Sequence, residues 1–445
     1  MDSLRGILLI ASVAGISGIA IFRPFTGLLA FVAFSIVNPQ SMVWSTTLNP
    51  MQPIAGATLL GYFVSSEPKR IPRGLTTYLL VALWAVFVVT TITAVYQDGA
   101  IAQLTQVSKI LLMVFLSMAM VTSKERLLSL LRTVALSLGF LGIKGGIFAI
   151  TTGGQFIVWG PENSFLSANN TIGVAWAMNI PLLFYLRRHE SRRWLRYVMT
   201  AMMVLTVPAL VCTFSRGAWL SAAAATALIM WRNRYRWVLV AGLIIILPFM
   251  SGDLLPERVL NRYAELQNYE DDTSAQSRFW TWEFCWRVGA ANPMTGAGFG
   301  FVSEDTFRQY YPEFLAWRGR VSVCHSTWFT VFGEHGVPGF VLWIGLLGST
   351  LVSVTRIRRA AKRAGPDSEW VVSVTEMLQA ALLAYIIGGT FVDLNYFDIF
   401  YQLVAVSIMV ATVAPRLAQR EAAAGRDPQD PLNRGIVGFR PKGRP

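Results

Sequence analysis

Residues 323–340 read VCHSTWFTVFGEHGVPGF, and the architecture of the chain turns on how this stretch is read. It carries two of the chain's three histidines, a glutamate, and a Gly336, Pro338, Gly339 cluster, all next to a long apolar run. Read as one helix, it would place Glu334 and His335 in hydrocarbon, where charge is costly. Read as two, it is unremarkable. Ser326 is a competent N-cap for a short helix over 326–334, and proline is tolerated in the first turn of a helix that restarts near Val337. The 19 residues 337–355 then make about one membrane span. On this reading His325 stands at a helix N-terminus, where the macrodipole disfavours a positive imidazole and the neutral form suits a general base. An ordinary loop histidine bonded to a nearby carbonyl is the competing reading. His335 is expected to serve the turn.

Working outward, the 445-residue chain is 54% hydrophobic and only 14% charged, with a mean hydropathy of +0.48. Soluble domains carry about 25% charged residues, so the expected fold class is an all-α polytopic integral membrane protein. The net charge of +13 sits in short clusters between apolar runs rather than on a nucleic-acid face. EPKRIPR (67–73), SKER (123–126), RRHESRRWLR (187–196), WRNRYR (231–236) and RIRRAAKR (356–363) mark cytoplasmic loops by the positive-inside rule. No cleavable signal peptide is expected at the N-terminus.

Between the clusters lie helix pairs at 74–95 and 101–122, 126–151 and 171–187, 195–213 and 217–231, 237–250 and 337–355, and 370–391 and 397–414. Two short runs in residues 1–66, a broken helix or two half-helices, bring the expectation to about 12 spans with both termini cytoplasmic. This divides the chain into N-terminal transmembrane helices (1–250, about eight), one large outer loop (251–336), C-terminal transmembrane helices (337–414) and a polar tail expected to be disordered (415–445). Residues 96–100, 152–170 and 392–396 form the short outer turns. From 251 to 324 the large loop holds ten acidic and seven basic residues, unlike the basic inner loops. Its TSAQSRFWTWEFCWRVGAA and EDTFRQYYPEFLAWRGR stretches read as amphipathic helices with interfacial aromatic faces, separated by NPMTGAGFGF. Cys212, Cys285 and Cys324 lack metal-ligand spacing, and their odd number points to no disulfide framework. No metal site is expected, the adjacent Asp271 and Asp272 reading as a solvated turn.

Charges at membrane depth raise functional hypotheses. Arg216, in CTFSRGAWL, lies at the outer end of a span, and Arg278, in SAQSRFWTW, lies near the start of a loop helix that Thr273 or Ser274 caps. A snorkelling interfacial arginine and a solvated helix face are their structural alternatives. Lys144, in GFLGIKGGIF, is the most intramembrane cation, suited to an acid partner or a water-filled cavity. Arg308, Arg318 and Arg320 add positive charge to the outer loop. Guanidiniums bind phosphate oxygens in bidentate fashion and stay charged when desolvated, so this convergence suits a lipid-linked phosphate or diphosphate.

HSTWFTVFGEHGVPG fits the H-[S/N/Q]-x9-G-x-x-[G/T] pattern of bacterial O-antigen ligases through His325, Ser326, Gly336 and Gly339. The segments around Arg216 and Arg278 resemble the O-antigen ligase/polymerase superfamily at the same relative places. GIKGGIF and FLSANN are similar to its exosortase-associated O-glycosylation ligase subgroup. The resemblance spans the chain to about residue 410 and is strongest at 140–340. It implies a GT-C-like glycosyltransferase of the bacterial inner membrane with a periplasmic active site. It also implies an undecaprenyl-diphosphate-linked glycan donor, a lipid A-core acceptor, an inverting reaction, and no cofactor, metal or nucleic acid. His325 would be the catalytic base and Arg216 and Arg278 the diphosphate ligands, with Lys144, Arg308, Arg320 and Ser326 in secondary roles. A glycan polymerase or protein O-oligosaccharyltransferase with the same donor is the nearest alternative. A lipid or solute transporter is a remote one, since it calls for charges near the bilayer midplane.

Overall fold

The computed structural model describes residues 4–42, 49–232, 273–318, 321–365 and 368–424, with the main chain alone at 273–277, 317–318 and 416–424. Among them the chain is all-helical, without strands. The helices are α1 (Leu4–Phe22), α2 (Pro24–Val37), α3 (Met51–Val64), α4 (Leu75–Ile92), α5 (Gln97–Met120), α6 (Lys124–Thr151), α7 (Asn169–Arg188), α8 (Arg193–Val211), α9 (Arg216–Arg232), α10 (Thr273–Ala291), α11 (Glu304–Tyr310), α12 (Pro312–Arg318), α13 (Thr327–Ala364), α14 (Glu369–Phe391) and α15 (Asp398–Ala424). Eight of these, α1, α4, α5, α6, α8, α13, α14 and the Asp398–Pro415 part of α15, are long and apolar enough to cross a membrane. The protein is thus a multi-pass helical membrane protein. The expected span at 237–250 lies outside the described residues.

The first 66 residues differ from the expectation of short or broken segments. α1 is a full-length candidate span, and a third helix, α3, follows α2 and a single 3-10 turn at Pro39–Met42. Leu9 and Val13 of α1 pack on Ile54 of α3 and against Phe34 near the end of α2. Arg5 shares a recess with Pro39 and Met42, so the start of α1 lies at the end of the bundle where α2 finishes. The main chain of α15 continues helical to Ala424, further than the boundary expected at 414.

α14 is the most enclosed of the candidate spans and α1 the least. Around α14 pack α7, α9 and α13 in one continuous apolar core that includes Trp176, Trp343, Tyr385 and Phe400. Small residues let helix backbones approach, as membrane packing favours. On α6, a Cβ added to Gly146 would lie 2.1 Å from the Leu205 carbonyl oxygen of α8, so the GIKGG stretch is first a packing surface. The basic end of the bundle is pinned by ion pairs. Arg126 makes a two-pronged bond to Glu67 (2.6 and 2.7 Å), Arg132 reaches Glu190 at 3.1 Å, and Lys362 reaches Glu376 at 3.1 Å. These arginines and lysine have acids beside them.

At the other end, α10, α11 and α12 form a small subdomain with its own core. Phe284, Val288, Phe301, Phe307, Tyr311 and Phe314 bury one another, with Phe284 and Phe307 stacked at 3.7 Å. The aromatic faces expected at the bilayer interface are therefore largely turned inward, although Phe279 and Trp286 of α10 remain exposed. A capping box sets the start of α11: Ser303 Oγ accepts the Thr306 N–H, and Thr306 Oγ1 accepts the Ser303 N–H. The second expected loop helix splits in two at Tyr311–Pro312, because proline lacks the N–H that would continue the first.

Candidate functional site

The VCHSTWFTVFGEHGVPGF stretch folds as two helical segments that meet at Gly336, whose φ of 61° and ψ of −161° interrupt α13. Only glycine takes this conformation readily. The Gly-rich NPMTGAGFGF loop docks against the break. Ala297 and Gly298 donate to the Gly333 and Glu334 carbonyls (both 2.9 Å), and Val337 donates to the Pro293 carbonyl (2.8 Å). At Gly296, also at positive φ, a Cβ would lie 2.4 Å from the Glu334 carbonyl carbon. Gly339 lets α13 restart beside the His335 side chain, since its Cβ would fall 2.2 Å from that of His335. Pro338 stands in the first turn after the break, where its missing N–H costs nothing.

Glu334 and His335 are buried in this junction and satisfied there. One Glu334 oxygen accepts the Gly300 N–H (3.0 Å), and the other accepts from Asn395 Nδ2 (3.1 Å) and the Tyr396 hydroxyl. The His335 ring nitrogens meet Thr90 Oγ1 at 2.7 Å and the Tyr396 hydroxyl at 2.6 Å, with Phe87 and Phe299 against the ring. With both nitrogens occupied and no exposed surface, His335 serves the packing.

His325 is different. It is half-buried, adopts a left-handed φ of 51°, and places Nε2 3.5 Å from Ser322 Oγ. A non-glycine residue holds that conformation only where its surroundings enforce it. Asp393, from the connection between α14 and α15, provides the enforcement. Its carboxylate accepts the main-chain N–H groups of His325 (3.1 Å) and Ser326 (3.0 Å), and the Thr330 hydroxyl. Ser326 occupies the N-cap position, but its hydroxyl makes no capping bond and is buried without a partner. In place of the expected Ser326 cap, a carboxylate from the distant α14–α15 connection meets this helix start, where negative charge is favoured.

The end of α14, just before that connection, packs between the elements that carry Arg216 and Arg278. Phe391, two residues before Asp393, lies under the Arg278 guanidinium at 5.7 Å from ring centroid, and it packs where a Cβ on Gly217 would be 3.0 Å away. Gly217 follows Arg216, which is exposed and opens α9 after a Ser215 hydroxyl that accepts the Ala218 N–H at 3.3 Å. Thr281, three residues beyond Arg278, donates to the Arg278 and Cys324 carbonyls at 3.0 and 3.3 Å. Burial, and then the charge of Arg216, push the Arg278 pKa below the ordinary guanidinium value. Arg278 thus lies within electrostatic reach of Arg216, the residue that opens α9.

A disulfide joins Cys285 of α10 to Cys324, the residue before His325, with Cα atoms 6.2 Å apart. This overturns the expectation of no disulfide: the third cysteine, Cys212, is a buried free thiol on a different element. The bridge ties the helix carrying Arg278 to the segment carrying His325. The remaining expected residues lie elsewhere. Arg308 is exposed and paired with Glu304 and Asp305 on its own helix. Lys144 lines a separate recess beside Trp159 and Trp176. Arg320, with Asp271 and Asp272, lies outside the described residues, as does the Arg318 side chain. Among the described residues, no group of three or more His, Cys, Asp or Glu side chains is arranged to hold a metal.

The architecture defines a multi-pass, all-helical membrane protein with a cationic, histidine-bearing site where one small helical subdomain meets the bundle. Residues 201–344, which contain Arg216, Arg278 and His325, match the family described as O-antigen ligase. Over these residues the chain carries an O-antigen ligase domain. Residues 4–191 match a family of unknown function, and neither match bears on the exosortase-associated subgroup. A comparison with curated proteins finds no match.

Proposed function

We propose that the protein is a glycosyltransferase of the bacterial inner membrane that moves a glycan from undecaprenyl diphosphate to a sugar hydroxyl of lipid A-core on the periplasmic side. The observation that carries this reading is the convergence of Arg216, Arg278 and the α9 N-terminus beside Phe391, with His325 fixed two residues further along by Asp393. A diphosphate seated on the two guanidiniums has its departing negative charge compensated as the bond from the anomeric carbon to the phosphate oxygen breaks. His325 accepts the proton of the acceptor hydroxyl while that oxygen forms the new glycosidic bond, with inversion at the anomeric carbon. The disulfide supports the sidedness, since such bonds persist in oxidising compartments such as the periplasm.

The test is transfer in vitro from an undecaprenyl-diphosphate glycan, with lipid A-core, a second donor glycan and a serine-containing peptide offered as acceptors. Glycosylated lipid A-core is the expected product. Extension of the donor glycan would instead identify a polymerase, and a glycopeptide a protein O-oligosaccharyltransferase. Arg216→Ala and Arg278→Ala are expected to lower donor affinity by about tenfold or more each, as loss of a charge-assisted contact to phosphate does. Unchanged donor binding in both variants would remove the diphosphate assignment.

A further inference from the structure

A second cavity, of about 620 Å³, lies between α2, α3, α5 and the start of α15, and is roofed by residues 163–165. Its volume is in the range of about 300–1,000 Å³ typical of small-molecule sites. Phe31, Leu59 and Met113 line its apolar part, which runs on into the packed cluster of Leu28, Tyr62, Leu116 and Met120 that holds α2, α3 and α5 together. The rest is unusually polar for a recess among membrane helices: Asn38, Gln52, Gln106, Gln402, Lys109 and Asp398 all line it. Gln52, Gln106 and Lys109 are exposed, so the cavity is open to the outside between α3 and α5.

Two of the lining residues carry buried amide oxygens. Asn38 is 1% exposed, and its Nδ2 donates to the Glu162 carbonyl at 2.7 Å, yet its Oδ1 has no hydrogen-bond partner. Gln402 Oε1 is likewise buried and unpartnered. Native interiors rarely leave such acceptors unsatisfied, and hydroxyl donors are the simplest complement. Amides with one ammonium and one carboxylate, and no arginine among the described lining residues, suit a polyhydroxylated ligand better than a phosphate. The apolar part suits a chain attached to it.

The position relates this cavity to the cationic site. Asp398 and Asp393 stand at opposite ends of the α14–α15 connection, Asp398 accepting from Ser35 Oγ at 3.1 Å and Asp393 holding His325. Phe397 packs on Phe165 at the cavity roof, at 5.5 Å between ring centroids. Among the described residues, none of α9, α10 or α13 lines the cavity, which flanks the connection apart from the helices that carry the arginines. An inverting displacement requires the incoming hydroxyl to approach the anomeric carbon opposite the departing diphosphate. We propose that this cavity seats the saccharide end of the acceptor glycolipid, an assignment that rests on the transferase reading above.

The experiment uses the full chain in lipid nanodiscs with an undecaprenyl-diphosphate glycan donor. The acceptor is either lipid A-core or the same core oligosaccharide without its acyl chains. Gln106→Trp, which fills the cavity from the exposed face of α5, is measured alongside Gln52→Leu on α3, so that a folding defect in one does not decide the result. Both variants are expected to raise KM for both acceptors by about tenfold, with donor KM within about twofold of the unmodified chain. Unchanged acceptor KM overturns the cavity assignment and leaves the transferase reading standing. A rise confined to the acylated acceptor, or a rise in donor KM instead, overturns the saccharide assignment. Failure of the unmodified chain to transfer to any acceptor overturns the transferase reading and this inference with it.

Discussion

Reducing the Cys285–Cys324 bridge is the perturbation whose size follows most directly from the structure. The two cysteines are 39 positions apart, and in the chain-entropy account closing a loop of that length stabilises by about 4 kcal/mol. Here the loop is the subdomain itself, from the middle of α10 to the residue before His325. Opening the bridge leaves α10 held to that segment and α13 by contacts that include the Thr281–Cys324 bond and stacking of Trp282 on Phe329 at 5.3 Å and of Trp286 on Phe332 at 4.9 Å. Each such contact contributes about 1 kcal/mol. The subdomain core survives in part, but the spacing of Arg278 from His325 loses its covalent restraint. The assay is thiol alkylation with mass spectrometry, followed by thermal unfolding and donor turnover of Cys285→Ser/Cys324→Ser. The unreduced protein should alkylate only at Cys212, and only once denatured. The double variant should unfold earlier, and its transfer rate should fall by more than its donor affinity. Alkylation of Cys285 and Cys324 without reductant, or a double variant of unaltered stability and turnover, would refute the reasoning.

Substitutions at three further positions separate positioning from packing. Asp393→Ala removes the acceptor for two main-chain N–H groups and a hydroxyl; at a half-buried site this should cost about 3 kcal/mol of local order and about 100-fold in transfer rate, with donor binding retained. Asp393→Asn, which keeps one acceptor oxygen, should fall between, as measured by turnover at saturating donor. Gly336→Ala forces a Cβ to 2.5 Å from the Pro293 carbonyl oxygen at positive φ, and roughly 3 kcal/mol of destabilisation should appear as a lower unfolding temperature in detergent. His335→Leu removes one partner each from the Thr90 and Tyr396 hydroxyls, which keep the Phe87 carbonyl and Glu334, so it should lower thermal stability modestly while leaving donor and acceptor KM near those of the unmodified chain.

Much of the fold was readable because hydrophobic length and basic clusters report spans directly. The helix expected at 370–391 is found at Glu369–Phe391, and the loop helix TSAQSRFWTWEFCWRVGAA is α10 from end to end. α3 escaped because its 14 residues are shorter than a span and were read only as part of an ambiguous N-terminal region. The split of α13 was visible in the glycines and proline, since those residues act locally. What depends on distant partners was not. Odd cysteine number hid a bridge between residues 39 apart, and a serine in the right place for a cap hid the acid that does the capping. Asp393 and Asp398 had a signal, two carboxylates around a short outer turn, but the turn was read only as a connector. Likewise NPMTGAGFGF looked like a separator, although its glycines exist to let two main chains touch.

The central claim is that His325, held by Asp393 beside two arginines, takes the acceptor proton. Single-turnover transfer from preloaded undecaprenyl-diphosphate glycan to lipid A-core, compared between the unmodified chain and His325→Ala, tests it most directly. The account predicts that His325→Ala inserts in the membrane and binds donor normally, yet slows the chemical step by about 100-fold or more, as loss of a general base does. A His325→Ala chain that transfers glycan at the unmodified rate would contradict it.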